Sequence, residues 1–266
     1  MHRRNWNRVF VTGGTGFVGL RVVLALLEAG AEVTMLVHPD QEDKLGTLHQ
    51  HVHVVIGDVW NLPSLRGRSR GHGVVVHLVG SLRAEPARGL TYQQINLVSA
   101  RNVISMAVSD GVPHFVLLSA AGKPPGVPAE YLRSKREAED YLRGSGLRWT
   151  IVRAPLVFDR GQPGGAFFSA LSWIGGLPVL RVLIGRRAPL PVDIVAEAIA
   201  HATLHPDLVR DRRLYAGDLR RLGRLHRAQS RREERSARIS WTQEDAWAEE
   251  DVPFGWLPDT PPRRKE

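Results

Sequence analysis

The sequence predicts an α/β fold: a Rossmann-type, doubly wound parallel sheet with a small C-terminal cap and an irregular tail. Three observations predict it. A glycine-rich turn near the start of the chain separates an apolar run from a helix-like run, short apolar runs then alternate with longer helix-like segments, and one run, 74–80, is apolar almost throughout. The last property belongs to strands covered on both faces. With 266 residues, 43% of them hydrophobic, the chain can bury a sizeable core, so disorder throughout is excluded.

Val9-Phe10-Val11 reads as the first strand and leads into Thr12-Gly13-Gly14-Thr15-Gly16-Phe17-Val18-Gly19, after which Leu20-Arg21-Val22-Val23-Leu24 begins a helix. A strand, a glycine turn and a helix in that order make a dinucleotide-binding site. Gly13 turns the chain off the strand, Gly16 lets backbone amides approach a pyrophosphate, and Gly19 lets the helix pack close to the sheet. The helix start then offers unpaired N–H groups and a positive dipole end to the phosphates. Gly30 closes this helix, and 32–37 and 51–56 follow as strands, the latter ending at Gly57-Asp58. Strand 74–80, a helix over 92–109, strand 114–119, a helix over 129–143 and strand 149–152 complete the alternation. Strand ends at Gly57, Gly80 and Ser119 converge on the carboxyl edge of the sheet, where open α/β folds bind ligands. Later, Asp193 is read as capping a helix that starts at Ile194, and 213–217 as a strand.

The chain contains no cysteine, which excludes disulfides, thiolate metal sites, iron–sulfur clusters and cysteine nucleophiles. Its start runs into the first strand with no apolar leader segment, so a cytoplasmic location is expected. A formal charge of +9 and a pI near 10.7 would suit a polyanion, but the charge is almost all arginine and gathers in 210–238, while 241–259 is acidic. No RNA-binding motif accompanies it, and nucleic acid is not an expected partner. The segment 218–266 reads as an Arg-rich, then acidic tail, partly disordered, that contributes little to the core; the other reading is a docking arm for a protein partner or an acidic surface. The apolar stretch 166–185 is interrupted by Gly175, Gly176, Pro178 and Arg181, so it reads as core or pocket wall rather than a transmembrane segment, with peripheral membrane contact as the alternative. His49, His51 and His53 alternate along an expected strand and His201 and His205 share a helix face, but neither set has a carboxylate beside it, so no metal is expected.

The ordered motifs 12–19, Gly57-Asp58-Val59, His77-Leu78-Val79-Gly80, Leu118-Ser119-Ala120-Ala121-Gly122, Tyr131-Leu132-Arg133-Ser134-Lys135 and Val152-Arg153-Ala154-Pro155 resemble the short-chain dehydrogenase/reductase superfamily. Within it, the chain is similar to the extended and atypical branch, among NAD(P)H-binding proteins related to the nucleotide-binding accessory subunit of respiratory complex I. The resemblance covers residues 8–217 and implies a dinucleotide-binding domain over 1–155 and a cap or substrate region over 156–217. It also implies that Asp58 and Val59 flank the adenine, that Leu78, Val79 and Gly80 line the cofactor, and that Arg153, Ala154 and Pro155 close the nicotinamide end. The short spacing from Ser119 to Tyr131 itself resembles the atypical branch.

Tyr131 and Lys135 stand four residues apart and so share one helix face. A nearby ammonium stabilises phenolate, so Lys135 is expected to lower the Tyr131 pKa and fit it to exchange a proton with a carbinol oxygen. The resemblance adds that Lys135 holds the nicotinamide ribose and that Ser119 positions the carbonyl. Two readings follow: an oxidoreductase or epimerase-type enzyme acting on a carbonyl or hydroxyl substrate, and a non-enzymatic NAD(P)H-binding sensor or assembly protein. The cofactor is NADP(H) or NAD(H), with a slight preference for NADP(H), because His38-Pro39 ends the second strand where an acid would repel a 2′-phosphate, and Arg21 adds positive charge.

Overall fold

A computed structural model describes residues 6–123, 126–161 and 188–248, with side chains to 232 in the last stretch. Strands β1 (Arg8–Thr12), β2 (Glu32–Val37), β3 (His53–Ile56), β4 (Val74–His77), β5 (His114–Ala120), β6 (Arg148–Ala154) and β9 (Arg212–Leu214) form one sheet. A short parallel pair, β7 (Val157–Phe158) and β8 (Leu190–Pro191), stands apart from it. The seven-stranded sheet has the order β3-β2-β1-β4-β5-β6-β9, and every pairing in it is parallel. The chain builds outward from β1 to β3, returns to lay β4 on the other side of β1, and builds outward again. That reversal between β1 and β4 leaves a crevice at the carboxyl ends of the strands.

The helices are α1 (Phe17–Glu28), α2 (Leu62–Leu65), α3 (Ser99–Ser109), α4 (Ala129–Gly144), α5 (Val192–Leu204) and α6 (Ala216–Ala248). Successive strand side chains point to opposite faces. Val9, Val11, Val74, Val76, Val116 and Val152 therefore join α1 and α5 in one core, while Phe10, Val75, Phe115, Leu117 and Ile151 join α3 and α4 in another. Both faces of the central strands are covered, and the polar side chains they carry, such as Thr12, His77 and Thr150, are buried. The helix expected over 92–109 divides into a π-helical turn, Gln93–Val98, and α3, a widening that turns Asn96 into the protein interior.

Sequence and structure differ in several element bounds. The third strand begins at His53, because His49 belongs to the 3-10 helix Pro39–Gln50 and His51 follows it, so the three histidines share no strand face. Asp193 lies in the first turn of α5 rather than capping it: the preceding cap residue is Pro191, and the Asp193 carboxylate sits 3.7 Å from Arg21. The strand expected over 213–217 is Arg212–Leu214, and α6 already starts at Ala216. The apolar stretch 166–185 lies outside the described residues, and no described helix is long and apolar enough to cross a membrane.

The chain divides into two compact units, 1–227 and 228–266. The first extends past the tail boundary expected at 217, because Leu219, Leu222 and His226 recur at helical spacing and are buried. Gly223 lets α6 come close to α5: a Cβ there would stand 3.1 Å from the Ile194 carbonyl oxygen. The arginines exposed around this stripe hid it in the composition. A chain ending at Arg227 is expected to keep the thermal transition of the full chain. One ending at Gly217 gives up the burial of Leu219 and Leu222, about 1.5–3 kcal/mol each. Equal midpoints for the two truncations would contradict this placement of α6.

Candidate dinucleotide and active site

The turn between β1 and α1 is shaped by backbone crowding. Gly13 has φ +77°, and a Cβ there would stand 2.8 Å from the Val79 nitrogen and 2.9 Å from the Leu78 carbonyl carbon, so the turn abuts the end of β4. A Cβ at Gly19 would run into the Gly13 carbonyl oxygen, so this glycine closes helix onto turn rather than helix onto sheet. Gly16 is open, with only the Gly13 oxygen near at 3.3 Å. It caps α1 without a side chain, and the first turn of α1 holds no acidic residue. The leading amides of the helix are thereby left to a ligand, and the dipole end is not neutralised.

A cavity of about 430 Å³ opens over this turn. Gly13, Gly16, Phe17, Val18 and Gly19 line one side of it, and Leu78 and Gly80 its floor. Ser119, Tyr131 and Lys135 stand at its far end with Ala154 and Pro155. The structure thus brings together residues from several separate sequence motifs, each delivered by the carboxyl end of a strand or by the element that follows it.

Lys135 is buried, and its Nζ donates to the carbonyl oxygens of Val79 and Leu118, both at 3.2 Å. Those contacts fix the ammonium between the ends of β4 and β5. Burial pulls its pKa down to about 8, opposed by the charge of Glu139. Tyr131 packs edge-on against Tyr92, with ring centroids 5.8 Å apart. Contrary to the expectation from the Tyr-Lys spacing, its pKa is pushed up to about 12: burial dominates, Arg136 rather than Lys135 is the cation that opposes it, and Tyr92 adds to the rise. The phenol is therefore held in its protonated form. His77, beneath Gly80, is also kept neutral, its pKa brought down to about 3 by burial and then by Lys135. Its Nδ1 lies 2.7 Å from the Thr12 hydroxyl, its partner across the β1–β4 pairing.

Two groups were missed by the sequence reading. Asn96, 1% exposed, donates from Nδ2 to the Ser134 hydroxyl, while its Oδ1 has no hydrogen-bond partner among the described residues and lies near Gly80 beside the Lys135 ammonium. A lone carboxamide between Ile95 and Leu97 was the available signal. The other is Glu139, one turn beyond Lys135 and 1% exposed. It accepts from Arg153 through both oxygens, at 3.0 and 3.1 Å from Nε and 2.5 Å from Nη2, and pairs with Arg136. The Ser119 hydroxyl donates to Glu139 Oε1 at 2.5 Å. Ser119 and Arg153 are register partners on β5 and β6, which places the carboxylate of α4 against both.

The remaining sequence candidates lie outside the cavity lining. Arg153 turns away to Glu139 and to the Tyr215 hydroxyl, 2.8 Å from its Nη1. Gly14 packs on the Met35 side chain, and Thr15 donates to Gln41 at 2.5 Å. The Asp58 carboxylate accepts from the Trp60 amide, and the Val59 carbonyl accepts from Asn102, so both hold the loop after β3. Val79 contributes its backbone to Gly13 and Lys135. His38 starts the 3-10 helix, accepting from the Asp40 amide. Arg21 is 3.3 Å from Asp159 and near Asp193, so its charge is answered by carboxylates. His201 stacks on His205 with centroids 4.4 Å apart, and no metal-holding cluster occurs among the described residues.

Comparison with known proteins agrees with this geometry. A family profile described as NAD(P)H-binding matches residues 13–170. The chain is 30% identical over 159 residues to a ceramide reductase of Caulobacter vibrioides, covering 58% of this chain and 47% of that protein. It is 32% identical over 203 residues to a (4-alkanoyl-5-oxo-2,5-dihydrofuran-3-yl)methyl phosphate reductase of Streptomyces griseus, covering 73% and 63%. It thus spans less than two thirds of the length of these curated relatives. Among solved structures, the Bordetella bronchiseptica enzyme WbmH in complex with NAD+ superposes with a TM-score of 0.54 at 24% identity, over 74% of this chain and 71% of that one. The UDP-glucose 4-epimerase of Thermus thermophilus, in complex with NAD, superposes with the same TM-score and identity over 74% of each chain.

Proposed function

This chain belongs to the NAD(P)H-binding family, with the fold of the short-chain dehydrogenases/reductases, and from that premise we propose that it is an NADP(H)-dependent oxidoreductase that reduces a carbonyl group. One observation carries the reading: Tyr131 and Lys135 line the same cavity as the glycine turn. The amides at the start of α1 fit a pyrophosphate, Gly16 leaves the space for it, and Lys135, anchored on the Val79 and Leu118 carbonyls, fits a ribose hydroxyl. Bound there, a nicotinamide supplies hydride. Tyr131 supplies the proton: a neutral phenol is the form that donates, and burial keeps it neutral. The Ser119 hydrogen is engaged by Glu139 and its oxygen accepts from Arg136 at 3.4 Å, so of the Ser119 and Tyr131 hydroxyls it is Tyr131 that is left to donate. Two reductases among the relatives support the direction of the reaction. A chain without cysteine suits a reducing compartment, which supports a cytoplasmic location.

The preference for NADP(H) rests on the end of β2. His38 stands where an acid would meet the ribose, and Asp40 beyond it is 86% exposed and turned to His38. Matched titrations are expected to give NADPH the higher affinity by a few fold. Tighter binding of NADH would reverse the preference, and binding of neither would overturn the function.

A further inference from the structure

Among the described residues, the part of the cavity left for a substrate is lined mostly by apolar side chains. Beyond the glycine turn and Lys135, its wall is Leu118, Ala120, Ala154, Pro155, Leu156 and Val157. Ser81, Arg83, Ser119 and Tyr131 are the other polar side chains of the described lining, which holds no carboxylate, carboxamide or imidazole. Ser119 has its hydrogen committed to Glu139, and the Ser81 hydroxyl accepts from the Arg83 amide at 3.0 Å, which leaves Ser81, Arg83 and Tyr131 as the donors beside an otherwise apolar wall. A sugar brings several hydroxyl donors, each of which loses its water partner on entering such a wall. At the mouth, Phe17 is 48% exposed and Leu82 42%, and both also line the cavity. Large apolar side chains half in water at the rim of an apolar cavity extend its surface outward.

We propose that the substrate is an apolar ketone, or the corresponding secondary alcohol, whose carbonyl reaches Tyr131 and whose hydrocarbon part runs out over Leu82 and Phe17. The proposal rests on the oxidoreductase reading above. With a reduced nicotinamide bound, hydride would form the new C–H bond at the carbonyl carbon, the Tyr131 phenol would give its proton to the oxygen, and a solvent proton would restore the phenol, so one ketone, one NADPH and one proton would yield one alcohol and one NADP+. Leu82 is the residue that sets the preference for a long chain.

The test uses the full chain loaded with NADP+, probed by thermal shift with 2-butanone, 2-decanone and UDP-glucose. Affinity is expected to rise roughly tenfold for every two methylenes taken up, so 2-decanone binds far more tightly than 2-butanone. Leu82→Asp is expected to narrow the ratio between the two ketones at least tenfold. UDP-glucose is expected to leave the transition where it is. Equal binding of the two ketones, no binding of either, or a shift with UDP-glucose alone overturns the apolar substrate while leaving the cofactor reading intact. Failure of NADP+ itself to shift the transition defeats the oxidoreductase reading, and this proposal with it.

Discussion

Glu139→Ala is expected to lower stability by about 3–5 kcal/mol, the cost of breaking a buried ion pair from one side. Glu139 is 1% exposed and answers two guanidinium groups directly, those of Arg136 and Arg153, with Arg213 3.8 Å away. Its bonds to Arg153 are the largest influence holding that guanidinium charged. Alanine removes the carboxylate, leaving Arg153 its bond to the Tyr215 hydroxyl and Arg136 its bond to the Ala120 carbonyl, with like charges facing one another between α4, β5 and β6. Glu139→Gln keeps an acceptor and loses the charge, so its cost falls between those of the wild type and alanine. Denaturant unfolding measures both, and a loss below about 1 kcal/mol for Glu139→Ala would mean that the arginines find other partners. The same substitution frees the Ser119 hydrogen, so the chemistry at the far end of the cavity changes with the fold.

Tyr131→Phe is expected to slow carbonyl reduction by about a hundredfold to ten-thousandfold, the usual range for a positioned general acid. The substitution removes one hydroxyl and keeps the ring that packs on Tyr92, so stability and dinucleotide affinity are expected to stay within a few fold of wild type. Lys135→Ala differs: it takes away the ammonium that bridges Val79 and Leu118, and is expected to weaken both affinity and rate. NADPH consumption with a ketone substrate separates the two variants. Wild-type turnover by Tyr131→Phe would remove the proton donor from the mechanism.

Much of this was legible in the residues. The first strand, the glycine turn and α1 were readable because Gly13 and Gly19 stand against backbone and Gly16 leaves open space, and the apolar strands because they are buried in the sheet. The meeting of Gly16, Gly80, Ser119, Tyr131 and Lys135 around one cavity followed from the rule that parallel strands deliver their ends to one edge. What the residues concealed was burial. Tyr131 beside Lys135 suggested a lowered pKa, yet loss of solvent outweighs charge there, and the ammonium is engaged by two carbonyls. The family resemblance put Arg153 at the nicotinamide end; only the packing of α4 reveals Glu139 drawing it away. The stripe Leu219, Leu222 and His226 was masked by the arginines around it, since composition averages over the faces of a helix.

The central claim is that the turn from β1 into α1 holds the pyrophosphate of a nicotinamide dinucleotide, and Gly16 tests it most directly because its Cα faces open cavity. NADPH is titrated into the wild type and Gly16→Val, with the thermal transition recorded for each. The side chain of valine fills the space of the phosphates; its Cβ meets backbone only at the Gly13 carbonyl oxygen, 3.3 Å away, a contact relieved by a few tenths of an ångström, whereas a Cβ at Gly19 would run into that oxygen. The account predicts at least a hundredfold loss of affinity in Gly16→Val, with a transition close to that of the wild type in the absence of cofactor. Equal affinity in two equally folded proteins would place the dinucleotide elsewhere and contradict the account.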